Sequence, residues 1–112
     1  MVLFIMNKII KININDILID PAGESEMITK ACSRNHKMNV TGLAQVNDII
    51  IVVCENSKTD LLKKYVLAPM ESLNIDEIET EISTRFFSGF SFIGSFLLKS
   101  KIWALYSIPQ KL

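Results

Sequence analysis

The sequence predicts one α+β domain over residues 1–112, in which an antiparallel sheet carries two helices on one face. Three observations predict this class: isoleucine- and valine-rich runs with a period of two, two segments that open on helix-capping residues, and a uniform composition without a linker. A chain of 112 residues has the size of one domain, and a hydrophobic content of 49% excludes a disordered chain.

The first two elements are a strand and a helix. A strand is predicted within residues 2–14, where isoleucine alternates with lysine and asparagine. A helix is predicted over residues 21–37, because Asp20 is a good N-cap residue and Pro21 suits the first helical position. Apolar residues then recur at helical spacing, and basic residues lie near the end, where the helix dipole favours them.

A hairpin and a second helix follow. Residues 40–46 and 49–54 are predicted strands joined by an Asn47-Asp48 turn, and the second has the continuous apolar composition of a central strand. Ser57 is a predicted cap for the second helix. That helix has an apolar stripe and ends near Pro69; the stripe consists of Leu61, Leu62, Tyr65 and Val66.

The last third of the chain is predicted to be strands. Ile78, Thr80 and Ile82 alternate with glutamates, which favours a strand with an acidic outer face. Residues 86–98 and 102–108 are two further strands. The first six elements follow the ferredoxin-like βαββαβ order, with additional C-terminal strands, and we find no internal repeat.

Composition points to a protein partner. Mean hydropathy is +0.31, which predicts more apolar surface than a monomer of this size hides and favours a homodimer or higher oligomer. Lysine and arginine number 12, as do aspartate and glutamate, so no nucleic-acid partner is expected. Five aromatic residues cluster late in the chain and favour core or interface packing over a flavin or base platform: Phe86, Phe87, Phe90, Phe92 and Phe96.

The expected compartment is the cytoplasm. The longest apolar stretch, residues 86–98, is too short for a membrane span, and the first residues lack the features of a signal peptide. Cys32 and Cys54 do not form a disulfide framework and are expected to be free buried thiols.

The sequence predicts neither a catalytic residue nor a metal site. Cys32 and His36 lie four residues apart on the predicted helix, but two ligands do not complete a zinc site. A cysteine nucleophile also needs an orienting group and an oxyanion hole. An enzyme that uses Cys32, Cys54 or His36 remains an alternative to the non-enzymatic prediction.

Several short motifs resemble the BLUF family of flavin-binding blue-light sensors, over about residues 8–96. One set comprises Ser33-Arg34-Asn35, Asn39-Val40-Thr41-Gly42-Leu43 and Val53-Cys54-Glu55-Asn56, and a second comprises Arg85, Phe87, Phe90, Ser91 and Phe92. The resemblance implies a ferredoxin-like sheet, with Asn35 as a flavin contact.

The photoactive residues of that family have no equivalents in this chain. Its relay resembles a path from a first-strand tyrosine through a glutamine to the flavin, but the only tyrosines here are Tyr65 and Tyr106, and Val52 lies at the glutamine position. Isoleucine and valine have no group that donates a proton or reorganises hydrogen bonds. We therefore predict a non-photoactive, BLUF-like domain without a cofactor that acts by protein association. The alternative is a sensor domain that binds FAD, FMN or another small molecule.

Overall fold

The computed structural model of the chain describes residues 7–33, 38–56 and 62–110. These residues form six strands: β1 (Asn7–Asn13), β2 (Met38–Val46), β3 (Ile49–Asn56), β4 (Lys63–Pro69), β5 (Ser91–Leu98) and β6 (Lys101–Pro109). They also form three helices: α1 (Ile14–Ile19), α2 (Pro21–Ser33) and α3 (Ile75–Phe87). The predicted α+β class is confirmed. The predicted single sheet with two helices is wrong, because the last three strands pair with one another and form a sheet of their own, and a third helix, α1, follows β1.

The strands form two antiparallel sheets of three, and each half of the chain is a β-α-β-β unit. The first sheet has the order β1-β3-β2 and the second has the order β4-β6-β5. We call residues 7–56 the first repeat and residues 63–109 the second repeat. The expectation that the chain has no internal repeat is therefore wrong at the level of topology. The pairing of β1 with β3 and of β3 with β2 is compatible with a ferredoxin-like type.

The two repeats correspond position by position. Residues of the second hairpin lie 52 positions after their counterparts, so that Gly42 and Gly94 follow the same β-bulge. The offset between β1 and β4 is larger by the six residues of α1, which has no counterpart in the second repeat. Helices α2 and α3 each contain 13 residues and are matched from their first residues.

The main core lies between the first sheet, α2 and one face of the second sheet. Alternate residues of β1 and β3 point into it, including Ile10, Ile12 and Val52, as the period-two pattern predicts. The central strand β6 is buried on both faces. Leu105 belongs to the main core, whereas Tyr106 belongs to a smaller core beneath α3.

Helix α2 covers the outer edge of β4 through two hydroxyl groups. The backbone N–H of Leu67 donates to Ser25 Oγ at 2.9 Å, and that of Tyr65 donates to Thr29 Oγ1 at 2.9 Å. Each hydroxyl also donates to a carbonyl one helical turn earlier, which fixes its orientation. This contact satisfies strand donors that would otherwise be exposed at the sheet edge.

The repeats also meet where β2 lies beside β5. The side-chain amide of Gln45 donates to the Leu97 carbonyl at 2.6 Å and accepts from the Leu97 N–H at 3.0 Å. A side chain added at Gly94 would lie 3.1 Å from Leu43 Cδ2. The glycine therefore permits the close approach of the two strands.

Two predicted elements are wrong. The segment predicted as a helix begins outside the described residues at Ser57, and its described part lies in strand β4. Tyr65 and Leu67 alternate into the core, and Pro69 ends the strand. Adjacent apolar pairs occur in both helices and strands, so the apolar stripe did not distinguish the two. The segment is a strand because it pairs with β6.

The segment around Ile78 and Ile82, predicted as a strand, is helix α3. Asn74 caps it, since its side-chain oxygen accepts from the N–H groups of Asp76 and Glu77. The two isoleucines lie one turn apart and face the smaller core. Strand β5 consequently begins at Ser91, and the first part of the predicted strand 86–98 forms the end of α3 and the turn that follows it.

Candidate functional site

The predicted flavin contact, Asn35, lies outside the described residues, as does His36. The Cys32–His36 pair therefore stays a prediction. Other residues of the BLUF-like motifs are described. The Thr41 hydroxyl donates to Glu55 Oε1 at 2.5 Å across the β2–β3 hairpin, and Val52 is fully buried.

Cys32 and Cys54 lie together inside the main core. The Cys32 thiol donates to Cys54 Sγ at 3.4 Å, and both cysteines are free and buried, as expected for them. The hydrogen bond to Cys54 and burial raise the pKa of Cys32, so its thiolate is disfavoured. Both thiols are shielded from solvent, which is typical of packing cysteines rather than of nucleophiles at the surface.

The Tyr65 hydroxyl links strands β4 and β2 next to the two cysteines. The Val40 N–H donates to the Tyr65 hydroxyl oxygen at 2.9 Å, which satisfies a buried backbone donor near the β2 bulge. Burial raises the pKa of Tyr65 to about 12, although the hydrogen bond from Val40 opposes the shift. The tyrosine therefore remains protonated through the physiological range and holds β4 against β2.

A groove of about 540 Å³ runs along one side of α3, and we call it the α3 groove. Its lining comes from α3 and from the segment after β4, and it includes Met70, Glu77, Thr80, Glu81, Thr84 and Arg85. A second groove of about 500 Å³ lies between β1 and α2. When residues are counted from the start of each helix, five positions of α3 that line the α3 groove correspond to the five positions of α2 that line the second groove. This agreement supports the alignment of the two repeats.

Two charged residues that line the α3 groove, Glu81 and Arg85, interact with Tyr106. Among the described residues, the buried Oε2 atom of Glu81 and the Tyr106 hydroxyl have no hydrogen-bond partner. The Arg85 guanidinium lies 5.0 Å from the centre of the Tyr106 ring, within cation–π range. Burial raises the pKa of Tyr106, Arg85 opposes this shift and Glu81 adds to it.

The side of α3 that faces away from the smaller core is uncovered by any described residue. We call it the open face and define it by exposed side chains: Ile75, Asp76, Glu79, Ser83, Phe86 and Phe87. Phe87 is 87% exposed, Ile75 74% and Phe86 64%. None of the residues of α3 is buried, whereas four residues of α2 are. Large apolar side chains grouped in this way mark an interaction surface.

The late aromatic residues divide between packing and exposure. Phe96 belongs to the main core, and the rings of Phe90 and Phe92 pack edge-to-face against Tyr106 at 6.2 and 5.9 Å. Phe86 and Phe87 instead lie on the open face. This face was not predicted from the sequence, because both residues were predicted to lie in a strand. The Asn74 cap, followed by acidic residues, is the signal that would have identified the helix.

The described part of the chain contains no group of three or more histidine, cysteine, aspartate or glutamate side chains placed to hold a metal ion. Among the described helices, none has the length and apolar character needed to cross a membrane. Comparison with protein-family models, curated proteins and solved structures finds no match to the chain. The functional evidence therefore consists of the geometry of the open face, the α3 groove and the buried thiol cluster.

Proposed function

We propose that the chain is a non-catalytic domain that works by protein–protein association, in a regulatory or structural role, and that the open face of α3 is its binding surface. The observation that carries the proposal is the exposure of Ile75, Phe86 and Phe87 along one side of a capped helix. Burial of such side chains yields about 1.5–3 kcal/mol each, which is the usual source of association energy.

The ferredoxin-like, BLUF-like relationship forms part of the same proposal. Its support is the motif resemblance together with the α+β class and the β1-β3-β2 pairing. Photoactivity is not proposed, because Val52 and the isoleucines of β1 lack the hydrogen-bonding groups of the family's relay. The predicted cytoplasmic location is retained as an expectation.

Light scattering coupled to size exclusion tests the association directly. We expect the mass of the wild-type chain to rise with concentration, and the variant Phe86→Ser/Phe87→Ser to remain monomeric. Ile19→Ser is the matched control, since Ile19 is an exposed apolar residue outside α3. Wild-type protein that stays monomeric at all concentrations and captures no partner would remove the proposal.

Binding of a flavin or other small molecule is the second candidate, and the α3 groove favours it. The groove has the volume of a drug-sized ligand site, and one polar atom of its lining, Glu81 Oε2, lacks a partner among the described residues. A ligand that hydrogen-bonds to this atom would remove a desolvation cost. The absorption spectrum of fresh protein and the quenching of added flavin fluorescence test it, with Glu81→Ala as the variant expected to weaken binding.

A further inference from the structure

We infer that the open face of α3 binds the outer edge of strand β1 in a second copy of this chain, in a head-to-tail contact. The inference rests on the proposed function, since it names the partner of the same face. The contact between α2 and β4 supplies the template, because it joins the helix of one repeat to the first strand of the next. If α3 makes the same kind of contact as α2, its partner is the first strand of a further repeat, and in a second copy of the chain that strand is β1.

The donors for such a contact are in place on β1. The N–H of Val40 points to Tyr65 and away from β3, so Val40 and Cys54 form a pair without ladder hydrogen bonds. Cys54 therefore exchanges its ladder bonds with Lys8 on the other side. The N–H groups of Asn7 and Ile9 then point away from β3, and no described residue accepts from them. They are the counterparts of Tyr65 and Leu67, whose N–H groups bond to α2.

The acceptors are in place on α3. Ser25 and Thr29 of α2 correspond to Glu79 and Ser83 of α3, counted from the first residue of each helix. A carboxylate and a hydroxyl both accept hydrogen bonds from backbone N–H groups. In the α2–β4 contact, the Ser25 hydroxyl accepts from the Leu67 N–H and the Thr29 hydroxyl accepts from the Tyr65 N–H. By analogy, Glu79 would accept from the Ile9 N–H of the second copy, and Ser83 would accept from the Asn7 N–H.

Apolar surface is available on both sides. Trp103 and Leu105 of the second sheet are buried in the main core, and their counterparts in the first sheet, Ile51 and Val53, are only half-buried. Ile9 of the β1 edge is 54% exposed. A second copy that docks with this sheet face would cover these side chains together with Phe86 on α3.

The charges of β1 and α3 also favour contact between these two elements. Strand β1 carries Lys8 and Lys11 and no acid, whereas α3 begins with several acids, among them Asp76 and Glu79. In the template the helix runs antiparallel to the strand, which places the acidic first turn of α3 near Lys11. Opposite charges at this position favour the β1 edge over an uncharged strand.

The contact is heterologous, because the helix of one copy meets the strand of the next. A pair of copies would therefore keep one free α3 face and one free β1 edge, and the mass would grow beyond that of a dimer unless a ring closes. Two variants each block one side. Ile9→Asp/Lys11→Glu makes the edge acidic, and Glu79→Lys/Ser83→Lys makes the face basic and removes both acceptors.

Size exclusion with light scattering on the full chain tests the inference. We expect each variant alone to be a monomer at concentrations where the wild type is oligomeric, and an equimolar mixture to form a 1:1 complex. All four substituted positions are exposed, and circular dichroism must show wild-type folding. If either variant fails to fold, the milder pair Lys11→Glu and Glu79→Lys replaces it.

The results separate the inference from the proposed function. If both variants oligomerise like the wild type, association uses another surface, and the β1–α3 contact is wrong although association stands. If the variants are monomeric but do not combine, the contact is also wrong, because each retains one intact side. A wild-type chain that is always monomeric overturns the inference, and it overturns the proposed function as well if the chain also captures no other protein.

Discussion

Helices α2 and α3 have the same length and the same place in their repeats, but they differ in what covers them. Four residues of α2 are buried, and two of its hydroxyls bond to the edge of β4. Helix α3 is half-covered on one side and open on the other. The difference lies in the contacts, because the second repeat covers α2 and no described residue covers the open face of α3. A helix face that stays uncovered in a stack of repeats is available for binding.

The largest expected difference concerns the isoleucines at the eighth position of each helix. Ile28 is fully buried in the main core, so Ile28→Ala should lower the free energy of unfolding by about 2–5 kcal/mol. Ile82→Ala should cost less than half as much, because Ile82 is only partly buried. Urea unfolding of both variants measures the difference. Equal losses would contradict the view that the cores beneath α2 and α3 differ in burial.

The two tyrosines give the next comparison. Tyr65→Phe leaves the buried Val40 N–H without an acceptor and should cost about 1–3 kcal/mol. Tyr106→Phe removes a buried hydroxyl that has no partner among the described residues, and should be neutral or stabilising. Unfolding free energies that rank the two variants in the opposite order would contradict the assignment of these hydroxyls.

Tyr65 also predicts a dependence on pH. Its pKa is raised to about 12 in the folded chain, against an ordinary value of 10.0, so folding favours the protonated phenol. The stabilisation is complete below about pH 10 and is lost as pH rises toward 12. The stability gap between wild type and Tyr65→Phe should therefore narrow over this range in urea titrations. A gap that stays constant across it would show that the Tyr65 pKa is unshifted.

Two serines, Ser25 on α2 and Ser83 on α3, give a further test at the helix edge. Ser25→Ala removes the acceptor of the Leu67 N–H and should cost about 1–3 kcal/mol. Ser83→Ala lies on the open face and should change monomer stability by no more than about 0.5 kcal/mol. Thermal unfolding at low protein concentration measures both. A large loss for Ser83→Ala in the monomer would mean that its hydroxyl is already engaged.

The smallest expected effect distinguishes the two glycines of the bulges. A side chain at Gly94 would lie 3.1 Å from Leu43, whereas one at Gly42 would lie 3.6 Å from Val53 Cβ. Gly94→Ala should therefore cost about 1 kcal/mol, and Gly42→Ala should be close to neutral. Chemical unfolding of the pair measures the tightness of the β2–β5 contact, and equal values would show that the contact relaxes freely.

Prediction from sequence succeeded where local pattern and burial agree. The alternation of isoleucine in β1, the capped start of α2 and the Asn47-Asp48 turn were all recovered. It failed for α3, whose alternation of glutamate and isoleucine fits both a strand and a helix because little of the helix is buried. It failed for β4 because pairing with β6 is a long-range contact that local spacing does not report.

The repeat itself was hidden from sequence comparison. Over the matched hairpins the residues are identical only at Gly42 with Gly94 and at Ile50 with Ile102. Strand pairing depends on alternation and on the bulge position, which many sequences satisfy. The open face of α3 was invisible for the same reason, since an uncovered face is defined by the three-dimensional order of the repeats.

Hydrogen exchange of four backbone amides, followed by NMR as protein concentration is raised, tests the central claim most directly. The amides of Tyr65 and Leu67 should be protected equally at every concentration, because α2 covers them within one chain. Those of Asn7 and Ile9 should exchange fast in dilute solution and gain protection as α3 of a second copy binds. Fast exchange of Asn7 and Ile9 in a sample shown to be oligomeric would contradict the account.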